Sequence, residues 1–178
     1  MSRTKAFALM AASAIAAAIA TAANAAAPVP TGPASVSIGP ITVHDVSLAM
    51  AKAAAEATLA ECRAKGYHTA ATVVDRAGQV IVSMRDELAT PQMAEMSRRK
   101  AYTARMFRTS TAEWAKRTRE DPSIAPQRDL PDVLALAGGV PIKMGEETIG
   151  AVASSGSNLA QDDACAHAGA ARAEAMMK

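Results

Sequence analysis

The chain has 178 residues, of which 19 are basic and 17 are acidic, so its formal net charge is +2 at pH 7. This near balance excludes the strongly positive surface that general nucleic-acid binding requires, and we expect no nucleic-acid partner. Half of the residues are hydrophobic, yet only 3% are aromatic. Alanine is therefore expected to supply much of the packing, which favours helices that approach one another closely.

The first 25 residues are typical of a secretory signal peptide. Arg3 and Lys5 precede an alanine-rich apolar run over residues 6–20, and a series of small residues ends at Ala25. Cleavage there removes two basic and no acidic residues, which leaves 17 of each sign. We expect a periplasmic or secreted protein with a flexible leader over residues 26–40; an uncleaved anchor is the alternative.

The first predicted helix begins at Thr42, with Asp45 at the third position of its cap. Two strands are predicted within residues 68–86, around a turn at Gly78, because apolar and polar residues alternate there. Asp75 ends the first of these strands. We predict that its carboxylate holds the N–H groups of the turn.

Two helices are predicted after this hairpin. Pro91 suits the first position of the longer helix, and Ser110 with Glu113 forms a capping box for a short one. Residues 121–132 are rich in Pro and Asp, so an irregular segment is expected to follow.

Two or three further strands and a final helix complete the predicted elements. The strands are expected over residues 134–144 and 147–156, and Asp162 with Asp163 favours a helix N-terminus after them. Hairpin-linked strands with short turns favour an antiparallel sheet. The sequence therefore predicts an α+β domain over residues 41–178, with helices packed on the faces of the sheet.

Basic residues are concentrated on the second and third predicted helices. They are Arg98, Arg99, Lys100, Arg105, Arg108, Lys116, Arg117 and Arg119. Two interpretations stay open: solvated helix faces, or the wall of a pocket in which arginine pairs with the carboxylates of a ligand. Two glycine-bearing turns, at residues 138–141 and 154–157, are either plain turns or places where a ligand approaches the backbone closely.

The three histidines, His44, His68 and His167, lie far apart in the sequence. None of them forms a pair at the spacing of a known zinc site, so no such site is predicted. Surface positions are the ordinary interpretation, and recruitment of one histidine by haem or a metal across an oligomer interface is the alternative. No arrangement typical of nucleophilic catalysis is found, and no catalytic residue is assigned.

The two cysteines are Cys62, in the first predicted helix, and Cys165, in the last. Neither lies in a C-x-x-C motif or a recognisable protease context. In an exported chain they are expected to be buried thiols or one disulfide, of which we favour the disulfide.

Four motifs occur in order along the chain: VVDRAGQVIVSMRD at residues 73–86, KAYTA at 100–104, GGVPI at 138–142 and IGAVASSG at 149–156, with Asp162 after the last. Together they resemble the GlcG/HbpS-like haem-binding family, over residues 41–176. The resemblance implies a profilin-like fold with about five antiparallel strands and helices packed on them. It also implies assembly into dimers or larger oligomers.

The same resemblance implies a function. Members of the family are exported proteins that bind haem, and some degrade it or pass redox signals to a sensor partner. In one haem-binding member a threonine just after the second helix approaches the iron, and spacing from the KAYTA motif places Thr111 there. Lys100, with Arg99 beside it, is expected to face the haem propionates. Thr111 is alternatively only the first residue of the helix that Ser110 caps.

We therefore expect haem to be held near seven residues: Arg85, Lys100, Thr103, Phe107, Thr111, Gly138 and Gly139. Thr111 is the candidate ligand of the haem iron. Two alternative functions stay open, of which the first uses the same positive charge and the second does not. One is an enzyme or accessory protein that acts on a small carboxylated metabolite of the glycolate type, and the other is a signalling oligomer that binds a membrane sensor protein.

Overall fold

The computed structural model describes residues 39–178 of the chain. The predicted signal peptide, and the predicted leader as far as residue 38, lie outside the described residues. The elements follow in the order α1 (Leu48–Ala64), β1 (Ala70–Val74), β2 (Val80–Arg85), α2 (Pro91–Phe107), α3 (Thr111–Glu120), a 3-10 helix (Ala125–Asp129), β3 (Gly139–Met144), β4 (Glu147–Ser155), α4 (Leu159–Glu174) and a last 3-10 turn (Ala175–Met177).

The strands form one antiparallel sheet in the order β2-β1-β4-β3. β1 and β4 occupy the centre, and Val73 lies opposite both Val82 and Val152. The outer strands β2 and β3 each close a hairpin with a central strand. The predicted mixture of helices and an antiparallel sheet is therefore confirmed.

The sheet has four strands within residues 39–178, where about five were expected. The predicted strand that began at residue 134 begins instead at Gly139. The segment before it lies against α2, because the Leu134 N–H donates to Thr103 Oγ1 at 2.8 Å. Gly138 then turns the chain into the sheet with a φ of +119°, a backbone conformation that glycine tolerates best.

Asp75 holds the β1–β2 turn as predicted. Its Oδ1 accepts hydrogen bonds from the N–H groups of Ala77 and Gln79, both at 2.8 Å. Gly78 takes a φ of +81° beside these bonds. The turn is therefore specified by an acceptor side chain and a glycine that lie close together in the sequence.

The first helix begins five residues later than the sequence indicated. Ser47 caps α1 by accepting a hydrogen bond from the Met50 N–H at 3.3 Å. Asp45, which was expected in the cap of a helix at Thr42, accepts instead from the N–H groups of Val46 and Arg76, at 2.7 and 2.9 Å. It therefore ties the segment before α1 to the β1–β2 turn.

The other helix starts follow local signals. Pro91 is the first residue of α2, and Ser110 Oγ accepts from the Glu113 N–H at 3.2 Å at the start of α3, as predicted. Asn158 caps α4, so that Asp162 falls in its first turn. The side chain of Asp162, however, is buried and serves a different contact, described below.

Helices cover both faces of the sheet. On one face α1 and α4 pack against alternate strand residues, which include Val73, Val140, Ile142 and Val152. On the other face α2 contributes Ala101 and Ala104 to a second cluster with Val74, Ala151 and Ala153. This alternation is the period-2 pattern of buried strands. Residues Ile41–Lys178 form one compact unit.

Small residues bring α1 and α4 together, as the alanine-rich composition predicted. A Cβ on Gly169 would lie 2.1 Å from Thr58 Oγ1 and 2.8 Å from the carbonyl oxygen of Ala54, so only glycine fits there. A disulfide between Cys62 and Cys165 joins the same two helices. No helix among residues 39–178 is long and apolar enough to cross a bilayer.

Candidate functional site

Four of the seven candidate site residues meet where α2, α3, β3 and the start of α4 converge. Lys100 comes from the middle of α2, Thr111 is the first residue of α3, and Gly138 and Gly139 lead into β3. All four are buried. The sequence motifs therefore identified one place in the fold.

Lys100 forms a buried ion pair at this junction. Its Nζ lies 2.8 Å from Asp162 Oδ2 and donates to the Ser154 carbonyl at 3.0 Å. The side chains of Lys100 and Asp162 are only 1% and 2% exposed. Burial lowers the pKa of Lys100, and the Asp162 carboxylate opposes that shift. The ammonium that we expected to face a propionate is thus enclosed by protein.

The two glycines make room for this pair. A Cβ on Gly138 would lie 3.0 Å from Lys100 Nζ and 2.7 Å from the Ser154 carbonyl oxygen. A Cβ on Gly139 would lie 2.5 Å from the Lys100 carbonyl oxygen. The Gly138-Gly139 turn therefore serves close packing of α2 against the start of β3.

Thr111 joins the start of α3 to the start of β3. Its Oγ1 accepts a hydrogen bond from the Gly139 N–H at 2.9 Å, and the side chain is fully buried. The hydroxyl lies 3.5 Å from the Gly139 carbonyl oxygen, to which it donates. Thr111 thus anchors two backbone segments to each other.

The remaining three candidates lie around or away from this junction. Thr103 is buried and anchors the segment before Gly138 through Leu134, and Phe107 stacks on Trp114 with ring centroids 3.7 Å apart. Arg85 ends β2 at the opposite edge of the sheet from β3, and its guanidinium donates to the Ala89 carbonyl. The structure does not bring Arg85 to the other six.

A cleft of about 330 Å³ opens beside the junction. One wall is the α2–α3 connection over residues 108–110, the second is β3, and the third is α4. Its lining residues are Arg108, Thr109, Ser110, Val140, Pro141, Lys143, His167, Ala170, Ala171 and Glu174. Thr111 and Gly139 directly adjoin two of these walls in sequence, so their hydrogen bond holds the walls together.

The cleft combines an apolar surface with positively charged groups. Val140, Pro141, Ala170 and Ala171 supply the apolar part. Arg108 and Lys143 carry positive charge, and His167 presents an imidazole that is 60% exposed. Glu174 is the acidic residue of the lining, and its Oε1 accepts from the Lys143 N–H at 2.9 Å.

Arg108 also lines a smaller cavity of about 180 Å³. Arg76, Arg105, Glu146, Glu147 and Thr148 complete its lining. Burial lowers the pKa of Arg105, and the nearby guanidinium groups of Arg76 and Arg108 lower it further. Arg76 forms an ion pair with Glu147 there.

The other basic residues of the predicted run have structural partners or face solvent. Arg98 pairs with Glu95 and Asp132, and Arg99 donates to the Val133 carbonyl. Lys116, Arg117 and Arg119 are exposed on α3. Of the eight, only Arg105 and Arg108 line a cavity among those described here.

Neither Lys143 nor His167 was assigned to the site from the sequence, and His167 was considered only as one of three histidines that haem or a metal recruits across an oligomer interface. No local motif marks either one. His167 lies between Ala166 and Ala168 on α4, a helix whose small residues pack against α1. Within residues 39–178 no group of three or more metal-ligating side chains is found.

The fold is a small α+β domain, and its cleft combines apolar and positively charged lining residues. The family model described as haem degrading protein HbpS-like matches residues 46–171. The chain is also similar to the crystal structure of HbpS, with 32% identity and a TM-score of 0.71, over 78% of this chain and 97% of that chain. The chain belongs to the HbpS-like haem-degrading protein family.

Two more distant structures share the fold. A Klebsiella pneumoniae protein, ORFY, of the DUF336 family is 24% identical, with a TM-score of 0.74 over 79% of this chain and 99% of that chain. PduOC, solved as a haem complex, is 22% identical, with a TM-score of 0.63 over 71% of this chain and 93% of that chain. A comparison with curated proteins finds no match.

Proposed function

We propose that this protein binds haem in the cleft between the α2–α3 connection, β3 and α4. The observation that carries the proposal is the combination of an apolar surface, two fixed positive charges and an exposed imidazole in one opening. Haem needs all three kinds of contact, because it has an apolar macrocycle, two carboxylates and an iron that takes axial ligands. Membership of the HbpS-like family supports the same ligand.

The residues present fit the chemistry of haem. Val140 and Pro141 on β3, with Ala170 and Ala171 on α4, offer apolar contact to the macrocycle. Arg108 and Lys143 are suited to the propionates, since guanidinium and ammonium groups form charge-assisted hydrogen bonds with carboxylates. A volume of about 330 Å³ lies at the lower end of the range for ligand sites, and the cleft is open to solvent on one side.

Three buried residues support the walls of the cleft without lining it: Lys100, Thr111 and Gly139. Lys100 joins α2 to α4, and Thr111 with Gly139 joins the α2–α3 connection to β3. Their part in ligand binding is to hold the three walls in register. Phe107 and Trp114 lie on the two helices that the α2–α3 connection links, so the indole is a reporter close to the proposed ligand.

A haem titration of the purified protein tests the proposal. We expect a shifted Soret band and quenching of the fluorescence of Trp114, which is the single tryptophan of the chain. The double variant Arg108→Ala/Lys143→Ala should bind more weakly, whereas Arg117→Ala/Lys116→Ala removes equal charge from exposed positions of α3 and should bind like the wild type. Absence of a Soret shift in the wild type would overturn the proposal.

We further propose that the protein is exported to the periplasm or secreted, and that it is a profilin-like domain that assembles into oligomers. Support comes from the signal-peptide pattern and from the family resemblance. Mass spectrometry of the protein from its native compartment should give an N-terminus at residue 26, and light scattering should give a multiple of the monomer mass. A membrane sensor protein is the proposed macromolecular partner, to be sought by cross-linking in native membranes.

The second candidate function is binding of, or action on, a small carboxylated metabolite of the glycolate type. It is favoured by the cavity of about 180 Å³ at Arg76, Arg105 and Arg108, where three guanidinium groups outnumber the two carboxylates of the lining. The Nε of Arg105 is buried and has no hydrogen-bond partner among the described residues. Calorimetric titration with glycolate, with Arg105→Met as the variant, separates this candidate from haem binding, because it predicts heat without any optical change.

A further inference from the structure

We propose that His167 would supply the protein ligand of the haem iron when haem is bound. This inference rests on haem binding in the α4 cleft and adds the identity of the ligand. The sequence resemblance indicated Thr111 for this role, but the Thr111 hydroxyl is buried and does not line the cleft. His167 is the side chain that presents a strong iron ligand on the inside of the cleft.

His167 is the side chain of the cleft lining whose chemistry suits an iron ligand. Haem iron in proteins is held by imidazole, thiolate, thioether or phenolate groups. Among the described residues that line the cleft, His167 alone carries one of these groups. Both cysteines are joined in the disulfide between α1 and α4 and are unavailable.

Thr111 is poorly placed to bind iron. Its Oγ1 already accepts the Gly139 N–H at 2.9 Å, and the side chain is fully buried. Freeing the hydroxyl would leave a buried N–H without a partner, which costs about 1–3 kcal/mol. A neutral hydroxyl is also a weaker iron ligand than an imidazole.

The three histidines differ in what surrounds them. His44 Nδ1 lies 2.9 Å from Glu147, and His68 Nδ1 lies 3.0 Å from the buried Asp86. Both of these rings are hydrogen-bonded to carboxylates that also pair with arginines, and neither lines the cleft. The nearest carboxylate to His167, that of Asp163, lies 3.5 Å from Nε2, beyond the hydrogen-bond distances of the other two rings, and the His167 side chain is 60% exposed. It is therefore the histidine that a ligand reaches without breaking an existing hydrogen bond.

Asp163 is positioned to orient the imidazole. It lies one turn earlier on α4, with Oδ2 3.5 Å from His167 Nε2. The other oxygen, Oδ1, is buried and has no hydrogen-bond partner among the described residues. A carboxylate beside one ring nitrogen fixes the ring and makes the other nitrogen a better donor to a metal. Asp163 is accordingly a positioning residue, and His167 is the ligand.

The test compares His167→Ala with His44→Ala, both titrated with ferric haem and followed by optical and electron paramagnetic resonance spectra. Both histidines are more than half exposed, so neither change should disturb the fold, which circular dichroism checks. We expect His167→Ala to lose the nitrogen-ligand signature and more than about tenfold in affinity. His44→Ala should match the wild type. Added imidazole should restore the signature in His167→Gly.

Asp163→Asn provides the second readout. The ring keeps its place in the lining, but it loses the carboxylate beside Nε2, so affinity should fall about tenfold with the nitrogen ligand still visible in the spectrum. If His167→Ala binds haem with an unchanged spectrum and affinity, the ligand assignment is overturned while haem binding itself stands. If the wild type binds no haem, the proposed function fails as well.

Discussion

Lys100 and Asp162 connect the helix layers on opposite faces of the sheet through an ion pair of 2.8 Å. Lys100 belongs to α2, which packs on one face, and Asp162 belongs to α4, which packs on the other. The contact passes beside Gly138, where a Cβ would come within 3.0 Å of the ammonium nitrogen. Asp162 also accepts from the N–H and hydroxyl of Ser157, at 3.0 and 2.7 Å, so the carboxylate is surrounded by donors.

Removing the lysine should strongly destabilise the fold. Lys100→Met leaves the Asp162 charge buried without its partner, and breaking such a pair costs about 3–5 kcal/mol. Urea unfolding measures the change in the free energy of unfolding. Lys116→Met on the exposed surface of α3 is the matched control, and it should change stability by less than about 0.5 kcal/mol.

A second substitution tests whether the stability lost in Lys100→Met comes from the unpaired charge of Asp162 or from lost packing. Asp162→Asn, added to Lys100→Met, removes the buried charge and keeps an acceptor for Ser157, so it should recover part of the lost stability. A double variant that is less stable than Lys100→Met would contradict this account of the pair.

The hydroxyl of Thr111 should matter for stability more than for iron binding. Thr111→Val keeps the size of the side chain but leaves the Gly139 N–H without its acceptor, and we expect a loss of about 1–3 kcal/mol. Thr111→Ser keeps the hydroxyl and should lose less. With ferric haem, Thr111→Val should keep the spectrum of the wild type at a temperature where it is folded. A changed axial-ligand signature would return Thr111 to the role of ligand.

Gly139 should not tolerate a side chain. In Gly139→Ala the new Cβ would lie 2.5 Å from the Lys100 carbonyl oxygen, which belongs to a helix backbone and has little freedom to move. We expect a loss of about 1–3 kcal/mol from this overpacking. Gly145→Ala is the control, because its Cβ meets no atom within 4 Å and its cost comes only from a positive φ of +61°. Thermal unfolding of the two variants, compared under one condition, measures the difference.

The sequence predicted those features that depend on neighbouring residues. Pro91 marked the start of α2, and Ser110 with Glu113 marked the start of α3. Asp75 and Gly78 marked the hairpin turn. Each of these signals acts within about four residues, so its energy is visible in a short window of sequence.

Features that depend on distant residues were missed. Asp45 looked like part of a helix cap, but its partner is the N–H of Arg76, 31 residues away. The segment from Leu134 looked like a strand, but Thr103 on α2 holds it outside the sheet. The partner of Lys100 lies 62 residues further along the chain. No periodicity or local spacing specifies such pairs, since the fold creates them.

The candidate site also combines features that depend on neighbouring residues with features that depend on distant ones. The family motifs identified the residues that hold the walls of the cleft, because those residues sit in turns and helix starts with recognisable patterns. The cleft itself is built from three separate segments, and His167 faces it only because α4 packs beside β3. A histidine in an alanine-rich helix gave no indication of that neighbour.

The disulfide should contribute strongly to stability and resist reduction in the folded state. It closes a loop with a sequence separation of 103 residues, and constraint of an unfolded loop of that size corresponds to about 4–5 kcal/mol. Cys62 and Cys165 are both fully buried, so a reductant should act slowly without denaturant. Thiol titration of the denatured, unreduced protein should find no free thiols. Two free thiols would contradict the pairing, and Cys62→Ala/Cys165→Ala should lower the unfolding midpoint in urea.

Asp86 should make the protein sensitive to acid. The hydrogen bond from Arg63 is the main reason that the pKa of this carboxyl falls from 3.8 to about 2, and hydrogen bonds from the Leu88 N–H and from His68 add to it. Because the folded-state pKa lies below the unfolded one, the stabilisation is complete above pH 3.8 and is lost as the pH falls toward about 2. Urea unfolding at a series of pH values should therefore show a steeper acid loss for the wild type than for Asp86→Asn. Asp129→Asn removes the same charge from an exposed 3-10 helix and should keep the wild-type slope, so equal slopes in the wild type and Asp86→Asn would contradict the assignment.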